Sequence, residues 1–222
     1  VYTLYSFVYS YFSSTKSKTL HMKNLTQIFT ERYFVDVPED HWASGAINTL
    51  AARGIISQPA DKIFRLYDEI TANEAIKMML SMCGYDNYAE QIGGYPVGYS
   101  NIARRLGINV KASGNALSPY EAYDLLYQTL KLPLYDIKGV NGDNVISTQG
   151  KETLLSVYFD IYMTEGFVSQ ASGVSLYKHK VGDFKEIADY VVLDDVTYTT
   201  EINLYDYLGR KSTVFFKQAD KN

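Results

Sequence analysis

One cysteine, one tryptophan, three histidines and five prolines in 222 residues leave several chemistries with nothing to work on. A lone thiol, Cys83, forms no intrachain disulfide. With histidines only at 21, 41 and 179, it cannot complete the thiolate and imidazole cage of a structural zinc site. Long apolar runs are also missing, since none approaches the roughly 18 uninterrupted residues needed to cross a bilayer as a helix, so no transmembrane segment is expected. Positive charge is scarce as well: 21 Lys+Arg face 25 Asp+Glu, for a formal charge of -4, and no basic block stands out. Clustered cations are what neutralise a phosphate backbone, so nucleic acid is not an expected partner. No Gly-x-Ser-x-Gly, His-Glu-x-x-His, P-loop or dinucleotide fingerprint occurs. The chain reads as non-enzymatic, with no cofactor.

Tyrosine is what the chain has in quantity. There are 21, suited to surfaces that bury flat rings while the hydroxyls stay wet. Residues 1–20 alternate aromatic or β-branched residues with Ser and Thr, without the basic n-region or small-residue cleavage site of a signal peptide. Residues 1–33 are read as an N-terminal extension outside the functional argument.

The first strong pattern begins at Phe34. Pro38 and Asp40 punctuate the chain before an apolar stripe at Trp42, Ala43, Ala46, Ile47 and Leu50, and Gly54 supplies the left-handed residue of a helix end. The spacing predicts a helix over 41–53. After a loop, Thr71 and Glu74 have the Thr-x-x-Glu spacing of a capping box, and Ile76, Met79 and Leu80 form the stripe of a helix ending near Gly84. The unit then repeats. Residues 99–108 echo 46–55, and Ser118-Pro119-Tyr120-Glu121 is a second capping box with proline at the favoured first position. Twenty positions separate Gly54 from Glu74 but fourteen separate Gly107 from Glu121, so the second copy lacks six residues of the loop. Leu125, Leu126 and Leu130 give its closing helix a core face, and Pro133 stops it.

After Pro133 the pattern changes to β-rich runs at 155–163, 166–170, 174–180, 190–199 and 212–217. Turn signals lie at Asn141–Asn144 and Asp194-Asp195, with a short helical turn at Tyr205–Leu208 ended by Gly209. The fold class expected is α+β: helix-loop-helix repeats followed by a small antiparallel sheet or partly closed barrel.

The succession Phe34-x-Asp36-Val37-Pro38, His41-Trp42-Ala43, Ala46-Ile47, Ala52-Arg53-Gly54-Ile55-Ile56, Phe64-Arg65 and Ile70-Thr71-x-x-Glu74 resembles an S-layer homology (SLH) module. The second copy looks like the degenerate partner module of large clostridial surface proteins. On this resemblance 34–84 form the first module, 85–135 the second, and 136–222 a β-rich spacer. The resemblance implies a cell-surface location and non-covalent attachment to the secondary polysaccharide of a Gram-positive wall. It also implies a ligand site between modules that uses an early Asp, the Trp of His-Trp-Ala and the Arg of Thr-Arg-Ala-Glu. Asp36 and Trp42 match, but position 72 is alanine and its counterpart is Pro119. The resemblance further leaves room for other surface-protein chains to complete a two-module assembly.

The candidate ligand-binding residues are therefore Asp36, His41, Trp42 and Arg65, each with a plainer reading beside it. Trp42 sits in the apolar stripe, which favours a core or groove-wall role. His41 suits a backbone hydrogen bond at a helix start, and Asp36 fits either a sugar contact or a turn. Arg65, with Arg104 and Arg105 on the second module, is available in place of the missing arginine. Glu74 and Glu121 read as caps rather than catalytic acids. Two other functions stay open: a protein–protein assembly module that has lost glycan binding, and an accessory domain of an exported glycan-active enzyme.

Overall fold

The computed structural model describes residues 32–110, 116–141, 144–171, 174–176 and 190–218. Nearly all of the N-terminal extension, the centre of the Asn141–Asn144 turn and most of the 174–180 run lie outside the described residues. The chain divides into two compact units between Tyr158 and Phe159.

The first unit is built on the repeated helix pair. Its elements are α1 (Ser44–Ala52), α2 (Ala72–Met82), α3 (Asp86–Gln91), α4 (Val97–Arg105) and α5 (Pro119–Leu130). They are followed by an antiparallel hairpin, β1 (Pro133–Asn141) with β2 (Asn144–Thr153), and a short helix α6 (Leu154–Phe159). Both capping boxes form. The Thr71 hydroxyl accepts from the Glu74 backbone and the Ser118 hydroxyl from that of Glu121, while each glutamate accepts from the backbone at the cap. The first helices of the two modules also end alike. Gly54 (φ 74°) and Gly107 (φ 73°) take the left-handed conformation, and the next residue donates to the carbonyl five positions back, Ile55 to Leu50 and Ile108 to Ala103.

Those matched ends allow the stripes to meet. Ala46, Ile47 and Leu50 of α1, Ile76, Met79 and Leu80 of α2, Ile102 of α4 and Leu125 of α5 are all buried, and α2 packs against both α4 and α5. The segments just before the two capping boxes pair with each other, Thr71 bridging Ala116 and the Leu117 N–H donating to the Ile70 carbonyl at 3.0 Å.

Three sequence expectations shift. The first helix starts at Ser44 rather than 41, and Trp42 stands in the preceding turn, 58% exposed, instead of in the core. Starting the helix three residues later leaves Trp42 ahead of its first turn, while Ala43, Ala46 and Ile47 stay buried. The stretch 155–159, expected as strand, is helical because Thr153 and Ser156 exchange backbone-to-hydroxyl bonds (2.9 and 3.2 Å) that nucleate a turn. The unit division falls after Tyr158, not at 135/136, because the β1–β2 hairpin belongs with the helices: the Tyr135 N–H donates to the Cys83 carbonyl and the Tyr85 hydroxyl to the Pro133 carbonyl, each at 2.8 Å. Helix α3, at the start of the second module, had no sequence signal strong enough to predict it.

The second unit is a five-stranded antiparallel arrangement around the long strand β3 (Tyr162–Ala171). The first half of β3 pairs with β7 (Lys211–Phe216) and its second half with β4 (Val174–Ser175) and β5 (Tyr190–Leu193), which continues into β6 (Val196–Thr199). Val168, Ala171, Val191 and Leu193 form its core. Asp194 and Asp195 make the β5–β6 turn with φ of 41° and 70°, the positive pair that a two-residue hairpin requires, and Tyr205–Tyr207 is a single helical turn. The α+β class holds.

Candidate functional site

The loop after α1 is held by the segment before it. Asp36 Oδ1 and Oδ2 accept the backbone N–H groups of Phe64 and Arg65, both at 2.7 Å, and the Val35 N–H donates to the Lys62 carbonyl at 2.9 Å. Burial pushes the Asp36 carboxyl up, but the backbone donors outweigh it and hold the pKa below the ordinary value. Asp36 is thus a loop clamp. Arg65, one of the two anchored residues, sits at φ 64°.

Between this loop and α2 lies a cleft of about 650 Å³. Its floor is apolar, with Phe34 and Phe64 ring centroids 5.1 Å apart beside Ile56, Ile70 and Met78. Its rim carries Arg65, Lys77 and Glu74 from the first module, with Glu90 and Tyr95 from the segment leading into α4, so the cleft is an inter-module groove. The Arg65 guanidinium donates to Glu74 Oε1 at 3.0 Å and lies 4.0 Å from Asp68. The Lys77 ammonium donates to the Ser57 hydroxyl. Burial raises Glu74, but Thr71 and Arg65 overcome this and leave its pKa lowered. Burial and the Glu74 charge raise Tyr95, keeping its phenol protonated as a donor.

The four sequence candidates separate here. Asp36 and Arg65 come together through the clamp, and Arg65 lines the cleft. His41 and Trp42 stand beside each other at the start of α1, ring centroids 5.7 Å apart, and are not among the lining residues. His41 Nδ1 accepts the Ala43 N–H at 3.2 Å, a helix-start bond. Ala72 is completely buried, so the position where the resemblance expects a guanidinium is closed by packing. Five carboxylates line the cleft, Asp61, Asp68, Glu69, Glu74 and Glu90, against two cations, Arg65 and Lys77. Sequence reasoning missed Tyr95 and Lys77. The Gly93-Gly94 turn ahead of Tyr95 is its one local signal, and Lys77 lies on α2 without any.

Paired helix-loop-helix modules, each with a capping box, the first with a clamped loop, and with a cleft between them, define a repeat architecture. Residues 33–65 match the model of the S-layer homology domain, so this stretch of the first module is similar to an SLH domain. The match spans the clamp, α1 and the loop through Arg65, and stops before the Thr71 box. A relative, the middle cell wall protein of Brevibacillus brevis, is 24% identical over 142 residues, which cover 63% of this chain and 13% of that protein. The chain thus aligns with about one eighth of that relative's length. No solved structure matches.

Proposed function

We propose that this chain is a non-catalytic cell-surface module that attaches a larger protein to the secondary polysaccharide of a Gram-positive cell wall. The observation that carries the reading is the SLH match over 33–65, joined to an inter-module cleft whose loop is fixed by Asp36 and whose rim presents Arg65 and Lys77. The wall protein named for the relative supports the same location. In this reading the apolar floor takes a sugar face, and Arg65 and Lys77 meet an acidic substituent once Arg65 exchanges Glu74 for the ligand.

A second reading, assembly with other surface-protein chains after loss of glycan binding, is favoured by one set of observations. Ala72 is sealed, Arg65 is already paired with Glu74, and carboxylates outnumber cations in the cleft. Co-sedimentation with purified pyruvylated wall polysaccharide separates the two. The anchoring reading expects the wild type to pellet and Arg65→Ala/Lys77→Ala to stay in solution. A wild-type chain left in the supernatant while a three-module SLH control pellets would sink anchoring and leave assembly, which light scattering then reads as a species larger than the monomer.

A further inference from the structure

A second cleft, of about 450 Å³, lies away from the inter-module groove, where α3, the end of α4 and the β1–β2 hairpin meet. Tyr85 and Tyr88 flank the start of α3, Arg105 closes α4, and Tyr135 faces Gln149 across the hairpin ladder. The Tyr88 and Tyr135 rings lie nearly parallel, 5.2 Å apart and 16° from coplanar, with Tyr85 4.8 Å from Tyr135 on a tilt. The Tyr85 hydroxyl donates to the Pro133 carbonyl at 2.8 Å and accepts the Gln149 amide at 3.4 Å, which fixes ring and amide together. Burial pushes the Tyr85 phenol up to about 12, so it remains a donor at any physiological pH.

Arg105 separates this cleft from an ordinary hairpin junction. Its exposed guanidinium meets the Tyr88 hydroxyl, and among the described residues no carboxylate pairs with it. Arg65 differs, being bound to Glu74 with Asp68 near by. A planar guanidinium with spare donors is suited to hold a carboxylate bidentately. Flat aromatic bodies cover the apolar face of a ring, and the phenols and amide beside them match hydroxyls. These requirements converge on one kind of ligand.

We infer that Tyr88, Tyr135, Arg105 and Gln149 form a second saccharide site that takes a carboxylate-bearing sugar, the acid on Arg105 and the sugar face against the tyrosine pair. The site uses no residue of the inter-module cleft, so it stands or falls apart from the anchoring reading.

The test is calorimetric titration of the full chain with a galacturonate trisaccharide and, separately, with the neutral galactose trisaccharide. The expected result is binding of the acidic sugar alone. Arg105→Gln should weaken it at least about 10-fold, Arg105→Lys less, and Arg65→Ala not at all. Arg105 is exposed, so an unchanged melting temperature would show that Arg105→Gln remains folded, and Gln149→Ala provides a second weakened variant. Absence of binding, equal binding of the neutral sugar, indifference to Arg105→Gln, or displacement by acetate at the same concentration would each overturn the proposal, the last by reducing the site to a simple anion contact. Loss of pelleting in the Arg65 and Lys77 variant with uronate binding intact would isolate failure or success at the other cleft.

Discussion

At the scale of single residues, the chain spends its scarce functional groups on holding backbone. Asp36 gives both carboxylate oxygens to loop N–H groups, His41 accepts the Ala43 N–H in the turn before α1, and Glu74 divides its oxygens between Thr71 and Arg65. Bonds to an ionised acceptor contribute roughly 1.5–3 kcal/mol each where buried, and less where solvent screens them. Asp36 is only partly buried, so Asp36→Ala is expected to cost about 2 kcal/mol, and Asp36→Asn, which keeps one acceptor, about half of that. Urea denaturation measures both. The folded-state pKa values of Asp36 and Glu74 lie below the ordinary 3.8 and 4.5. Depressed values mean that these carboxylates stabilise the fold fully above the ordinary range, and that this contribution is lost as pH falls through the folded values. Between pH 7 and pH 3 the melting temperature of Asp36→Ala should therefore fall by less than that of the wild type. An equal fall would remove the clamp from the account.

At the scale of elements, the repeat works because both copies start and stop their helices with the same devices. The capping boxes at Thr71 and Ser118 and the left-handed glycines at 54 and 107 put matching stripes in register, and the second copy keeps these signals although its loop is six residues shorter. Packing between elements is tighter than those signals require at one place. Gly98, near the start of α4, would place a Cβ 2.2 Å from the Ala89 carbonyl oxygen of α3. Helix propensity favours alanine over glycine by about 1 kcal/mol, whereas forcing atoms into a filled contact costs about 1–3 kcal/mol. A 2.2 Å approach to backbone, which cannot swing aside, puts the penalty at the upper end. Gly98→Ala is expected to lower stability by about 2 kcal/mol net in denaturant melts. A stabilised variant would mean that α3 does not pack on α4 as described.

At the scale of the whole molecule, the division after Tyr158 assigns the hairpin to the helical unit. That unit uses the hairpin's backbone to satisfy the Cys83 carbonyl and the Tyr85 hydroxyl, both at buried residues. Leaving a buried polar group without a partner costs about 1–3 kcal/mol, and the rings of Tyr85 and Tyr88 would also lose Tyr135 as a neighbour. A chain of residues 32–158 is expected to melt cooperatively. One ending at 132, without the hairpin, should melt at least 10 °C lower, on the order of what a loss of 2–3 kcal/mol does to a domain this size. Matching melting curves for the two would restore the boundary to the end of α5.

The sequence by itself determined whatever depends on local chemistry and period: the helix pairs and their caps, the duplication, the Asp194-Asp195 turn, the α+β class and the SLH likeness of the first module. These signals lie within a few residues of the structure they specify. Tertiary structure decided what needs residues far apart in the chain. It moved Trp42 out of the core by the placement of one turn, made Asp36 a clamp on a loop 28 residues away, and sealed Ala72 by packing. It also joined Tyr85, Arg105 and Gln149 across three elements that no spacing pattern connects. Which cation is already paired and which still has donors to offer is a fact of distance, and distance between remote residues is set only when the stripes have packed.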